Sequence, residues 1–230
     1  MLHRLVRCRP PSILEGKGGF LELFSNQQYD RANWYHSFGV EFEILKNSFK
    51  PHAACLLTHP TIDAAKEILS EHHPKLEEIQ EVICEVSPLA ADAAGNENPK
   101  TGLEGKFSLP FCVAIILKEG KAGERQFQNS LVGDSTIQNL MKRVKVIPRL
   151  RKPVTSATVQ VVMGQGESYR KEIEYPQGHP NNPFRPGQLE EKFKDLTVGI
   201  VGEKKAFGLL EKLNRLEEVS DINELIAFCF

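Results

Sequence analysis

Several things are missing from this 230-residue sequence, and each absence closes off a class of function. It has no excess charge of either sign. Its 29 basic and 30 acidic residues leave a formal net charge of -1, so no electrostatic footprint favours nucleic acid or an anionic membrane surface as a partner. It has no apolar run near the roughly 20 residues that a membrane-spanning helix needs; the longest, Phe111 to Leu117, has the length of a core helix. Cysteine pairing is also missing. Cys8, Cys55, Cys84, Cys112 and Cys229 are scattered, odd in number and without CxxC spacing, which reads as free thiols in a reducing, cytoplasmic setting rather than a disulfide frame or a zinc site. His36, His72, His73 and His179 show no ligand spacing, so no metal site is expected. The Gly16/Gly18/Gly19 cluster is followed by no GK[ST], which argues against a phosphate-binding loop.

What is present is an ordinary globular composition, 40% hydrophobic and 26% charged, with enough chain for a buried core. Residues 1–10 are basic and read as a weakly ordered start. Residues 13–25 read as a turn leading into a short helix, and Phe42 to Phe49 alternate like a strand. Thr58-His59-Pro60 opens a helix that His73-Pro74 ends. Ile79 to Val86 alternates as a strand, and the small, polar stretch 90–105 reads as a surface loop. A second helix begins at Ser108-Leu109-Pro110 and ends at Gly120, and a third covers 137–144. Strands follow at 144–147, 157–163 and 169–175, the last two joined by the Gly164-Gln165-Gly166 turn. Helices return at 188–196, 207–216 and 222–228. Strands and helices interleave without regular βαβ units, which indicates an α+β fold, a small mixed sheet with helices packed on it, followed by a helical tail.

Two places join a lysine to a helix start: Lys50 ahead of Cys55 and the Thr58-His59 start, and Lys106 ahead of Ser108. Free N–H groups at a helix start and an ammonium together make a cradle for carboxylates. Each residue also has a plain structural reading: His59 as a partly exposed first-turn residue, Cys55 as a small buried hydrophobe, Lys106 as a solvated cation.

Four blocks carry a resemblance: PSILEGKGGFLELF (11–24), KPHAACLLTHPTIDAAKEIL (50–69), NPKTGLEGKFSLPFCVAIIL (98–117) and GHPNNPFRPGQLEEKF (178–193). In this order they resemble the MmgE/PrpD family of 2-methylcitrate dehydratases, cis-aconitate decarboxylases and iminodisuccinate epimerases. The resemblance implies a C-terminal α+β lid domain over 11–187. It also implies helices over 188–230 that in the family return to an all-helical N-terminal domain, which supplies the rest of the active site. It further implies a small polycarboxylate substrate, homodimers or a separate helical-domain partner, and a lyase or isomerase of carboxylic acid or propionate metabolism. A non-catalytic remnant or interaction module is the alternative. On the resemblance, Lys50, Cys55 and His59 are the catalytic candidates, and Lys106, Ser108 and Phe111 the substrate-binding ones. In the decarboxylase branch a histidine stands where this chain has Cys55, and a tyrosine where it has Phe111. Both departures count against decarboxylation, because a thiol is a weaker proton carrier and a phenyl ring has no hydroxyl to donate.

Overall fold

The computed structural model of the chain describes residues 13–14, 16–17, 19–25, 39–40 and 42–229. The start expected over residues 1–10, with Cys8, and the histidine His36 lie outside the described residues. The chain divides into two compact units, Met1–Lys46 and Asn47–Phe230. In the first, the amides of Gly19, Phe20 and Leu21 donate to Gly16 O, Ile13 O and Leu14 O. This folds the glycine-rich stretch into the turn ahead of helix α1 (Phe20–Ser25). The strand expected over 42–49 is absent. Glu43–Lys46 form a single 3-10 turn, residues 42 to 50 are exposed, and no strand pairing among the described residues includes them. Alternating Phe and Ile satisfy the period of a strand but supply no hydrogen-bonding partner.

The second unit is built on a four-stranded mixed sheet in the order β2-β1-β3-β4. These strands are β1 (Ile79–Val86), β2 (Val144–Pro148), β3 (Ala157–Met163) and β4 (Ser168–Ile173). Strand β1 runs parallel to β2 and antiparallel to β3, and β3 and β4 form an antiparallel hairpin. The parallel pair needs a long crossover, and the chain between Val86 and Val144 supplies it as α3 (Pro88–Ala93), α4 (Gly102–Gly105), α5 (Leu109–Glu119), α6 (Asn129–Val132) and α7 (Ser135–Met141). Helix α2 (His59–His72) packs on β3, β4 and α5, and α5 packs on α2, α7 and β2. One sheet face is therefore covered. Val82, Cys84 and Val86 of β1 and Val159 and Val161 of β3 point into that core.

Helix α5 is the axis of the core. Its residues Leu109 to Leu117 are all buried. Ser108 caps it by accepting the Phe111 amide (3.2 Å), and Gly120, at φ 69°, closes it with an amide bond to Ile116 O. These are the cap and left-handed stop the sequence announces. Helix α2 starts differently. Thr58 makes no side-chain cap; its hydroxyl donates to Cys55 O at 2.8 Å. The loop expected over 90–105 also needs correcting, since it holds parts of α3 and α4. Its small residues mark close packing rather than exposure: Ala90, Ala94, Gly102 and Gly105 are buried. The third helix ends at Met141 rather than at Val144, where β2 begins.

The other sheet face carries a ladder of ion pairs. Glu85 accepts from Arg149 (3.0 Å) and Arg170 (3.3 Å), and Lys152 bonds Glu172 at 2.8 Å. Beyond the sheet come α8 (Gln188–Val201), α9 (Glu203–Leu213) and α10 (Asn223–Ile226). No helix among the described residues is long and apolar enough to cross a membrane.

Candidate functional site

The stretch from Phe49 to Cys55 has little regular structure of its own, so its backbone groups bond to neighbouring segments. Cys55 N–H donates to Lys106 O (2.9 Å), Ala53 N–H to Ala122 O (2.9 Å) and Phe49 N–H to Gly178 O (2.8 Å). The amine of Lys192 donates to Lys50 O at 2.6 Å. Three sequence blocks far apart in the chain thus meet along one short segment. Gly178 is required at its junction. It sits at φ +84°, and a Cβ there would lie 2.1 Å from Phe49 O.

These segments wall a cleft of about 730 Å³, within the usual range for a small-molecule site. Five lysines line it: Lys50, Lys66, Lys106, Lys121 and Lys192. Lys106 is tied to both carboxylate oxygens of Glu124 (2.8 and 2.9 Å) and lies 5.9 Å from the centre of the Phe127 ring. It is therefore a paired, partly covered cation rather than a solvated one. Among the described residues no acidic side chain pairs with Lys50, Lys66 or Lys121. Glu191 and Asp195 of α8 also line the cleft.

The six residues singled out in the sequence divide in two. Lys50, Cys55 and Lys106 line the cleft. His59, Ser108 and Phe111 do not line it and are fully buried. Ser108 is occupied twice, accepting from the Phe111 amide and donating to Asn96 O at 2.5 Å. Phe111 packs against Phe127, with ring centroids 5.7 Å apart. The α5 start is no anion cradle, because the Leu109 amide donates to Ala94 O and the Phe111 amide to Ser108 Oγ, while Pro110 has no N–H. What this part of the chain gives the cleft is Lys106 beside the helix start, not its N–H groups.

His59 is not the partly exposed first-turn residue of the plain reading. It is sealed inside, with Nε2–H donating to Ala54 O (3.3 Å) and Nδ1 unpartnered. Burial, and then the charge of neighbouring His52, lower its pKa from 6.5 to about 3. The folded pKa lies below the unfolded one, so between pH 6.5 and 3 the unfolded chain binds more protons. Stability from this group is intact above pH 6.5 and falls as pH drops below it, by about 2 kcal/mol at pH 5. A pH series of denaturant melts should therefore show a steeper acid limb for the wild type than for His59→Gln, by up to one proton. Parallel limbs would show that His59 titrates normally.

One pair at the cleft escaped the sequence reading as a pair. His52 and Asp63 both line the cleft, with side chains only 8% and 12% exposed, and they bond at 2.8 Å. The second Asp63 oxygen accepts the Gln177 amide at 2.7 Å. Their separation of eleven residues, coil on one side and helix on the other, has no periodic signature. Both do stand inside the KPH…IDA block. Cys84 and Cys112, by contrast, are core residues whose thiols burial pushes up to about 12, and Cys55 is the cysteine at the cleft. Among the described residues no group of three or more His, Cys, Asp or Glu side chains is placed to hold a metal ion.

No curated protein matches the chain. The family model of the MmgE/PrpD C-terminal domain does match, over residues 52–216, which include the sheet, α2, α5 and the cleft walls from His52 to Leu196. The chain belongs to the MmgE/PrpD C-terminal domain family.

Proposed function

We propose that the cleft grips a small di- or tricarboxylic acid, and that the chain is the carboxylate-binding domain of a 2-methylcitrate dehydratase-like lyase or isomerase. The observation that supports this most is the gathering of Lys50, Lys66 and Lys121, none with an acidic partner among the described residues, around one cleft with Lys106. Taking a proton from carbon beside a carboxylate, or losing CO2 there, builds negative charge that preorganised cations stabilise. Lys50 is the foremost of them, Lys106 a second contact, and Cys55 faces the same space. His59 acts from behind the wall as a neutral ring. In this reading helices 188–230 pack on a helical domain that completes the site, and no cofactor takes part.

The test is turnover in the assembly with a helical-domain partner, using 2-methylcitrate, cis-aconitate and iminodisuccinate in turn. Lys50→Ala is expected to lower kcat/KM by about 10²–10³-fold, the usual loss for a group facing transition-state charge. A rate equal to wild type would remove Lys50 from the mechanism. The second reading, a non-catalytic interaction module, draws on the apolar side chains left exposed toward the C-terminal end, such as Ile200 at 83% and Ile222 at 61%. Turnover of none of the three acids, alongside stable association with a helical partner or a second copy, would favour it.

A further inference from the structure

The cleft wall holds cations but needs a group to carry a proton. His59 is sealed away from the cleft, and a thiol such as Cys55 is a weaker proton carrier than an imidazole. The pair beside them has the required build. A carboxylate only accepts hydrogen bonds, so His52 carries its proton on Nε2 and directs it to Asp63 Oδ1 at 2.8 Å. In the neutral ring this leaves Nδ1 as the lone-pair nitrogen. Nδ1 has no hydrogen-bond partner among the described residues and is not one of the sealed unpaired atoms. Asp63 is itself fixed by the Gln177 amide at 2.7 Å. The His59 ring meets His52 edge-on, with centroids 5.1 Å apart, and limits its tilt. Nucleophile-and-base sites use the same logic, with a base oriented by a third group that also balances its acquired charge.

We infer that His52, positioned by Asp63, is the proton carrier of this cleft. The inference rests on the carboxylate-binding reading of the lysines. In the step, the C–H bond beside a substrate carboxylate breaks and an N–H bond forms at His52 Nδ1. The electron pair stays on the substrate as an enediolate held by Lys50 and its neighbours, and Asp63 balances the imidazolium. The same proton can then pass to a hydroxyl on the neighbouring carbon, which departs as water as the C=C bond forms.

The experiment is nitrogen NMR of the full chain with 15N-labelled histidine, titrated with citrate at pH 7.5, with His52 assigned through His52→Gln. Nδ1 of His52 is expected to resonate as a lone-pair nitrogen and to shift on citrate addition, while His59 does not move. Citrate binding with no change at His52 would overturn the inference and leave the lysine reading standing. Absence of citrate binding would overturn both. In the active assembly, His52→Gln, whose amide can still donate to Asp63, should lower kcat about 10²–10⁴-fold with KM within about threefold. Imidazole in solution should restore part of the loss. A variant that raises KM at unchanged kcat would make His52 a binding group only and sink the proposal.

Discussion

Truncating Phe111 to alanine costs the domain about 3–5 kcal/mol, the range for an aromatic ring removed from a tight core. The ring is fully buried. Phe127 lies 5.7 Å from it centroid to centroid, and Gly105 presses on its edge so closely that a Cβ there would stand 2.9 Å from Phe111 Cδ1. Gly105 has no side chain to move into the space, and a close-packed core collapses only in part around a lost ring. A urea melt followed by near-ultraviolet circular dichroism should show the midpoint falling together with aromatic signal. A loss under about 1 kcal/mol would place the ring in looser surroundings than the structure has. Phe111 was expected to meet substrate, so the distinction matters: loss of activity in Phe111→Ala would come from a weakened scaffold, not from a missing contact.

Gly102→Ala is expected to be as severe, at about 3 kcal/mol or more, through overpacking against rigid atoms. An added Cβ would lie 1.7 Å from Phe127 O and 2.6 Å from its carbonyl carbon. Both are backbone, so no rotamer change relieves the clash. The Gly102 amide also donates to Asn129 Oδ1 at 2.8 Å, which ties the same two segments together. Gly133→Ala is the control. Its nearest atoms would stand 3.8 Å away and its φ is an ordinary -81°, so a change within about 0.5 kcal/mol is expected. Equal melting behaviour of the two variants would contradict this account of the TGLEG block. In that block Gly102 and Gly105 permit close approach, and Lys106 is what emerges into the cleft.

These residues show why part of the molecule could be read in the sequence and part could not. Strand β1 and helix α5 were legible over nearly their full lengths because alternation, a serine cap, an early proline and a terminal glycine all agree there. The mixed sheet with packed helices and the helical tail followed from the order of such segments. The stretch 90–105 was misread because small residues are chosen both by exposed loops and by close backbone contact, and only the fold tells Ala94 or Gly102 apart from a loop residue. Phe42 to Phe49 differ for the converse reason, a strand pattern that no described strand pairs with. At the cleft, the lysines were found because they sit in recognisable blocks. The depth of His59 was not visible, since a histidine in a first helical turn can face either way. The His52–Asp63 bond depends on how coil and helix fold over one another, which no spacing rule encodes.

Among the described residues Lys50, Lys66 and Lys121 have no acidic partner, and if they hold an organic polyanion in the cleft, citrate should bind there. Calorimetric titration of the full chain with citrate, comparing wild type with a Lys50→Ala/Lys121→Ala double variant at one low ionic strength, tests it most directly. The account predicts saturable one-site binding that weakens about tenfold or more in the variant, about 1.4 kcal/mol of lost attraction. Equal affinity in the two proteins, or no binding in the wild type, would contradict it.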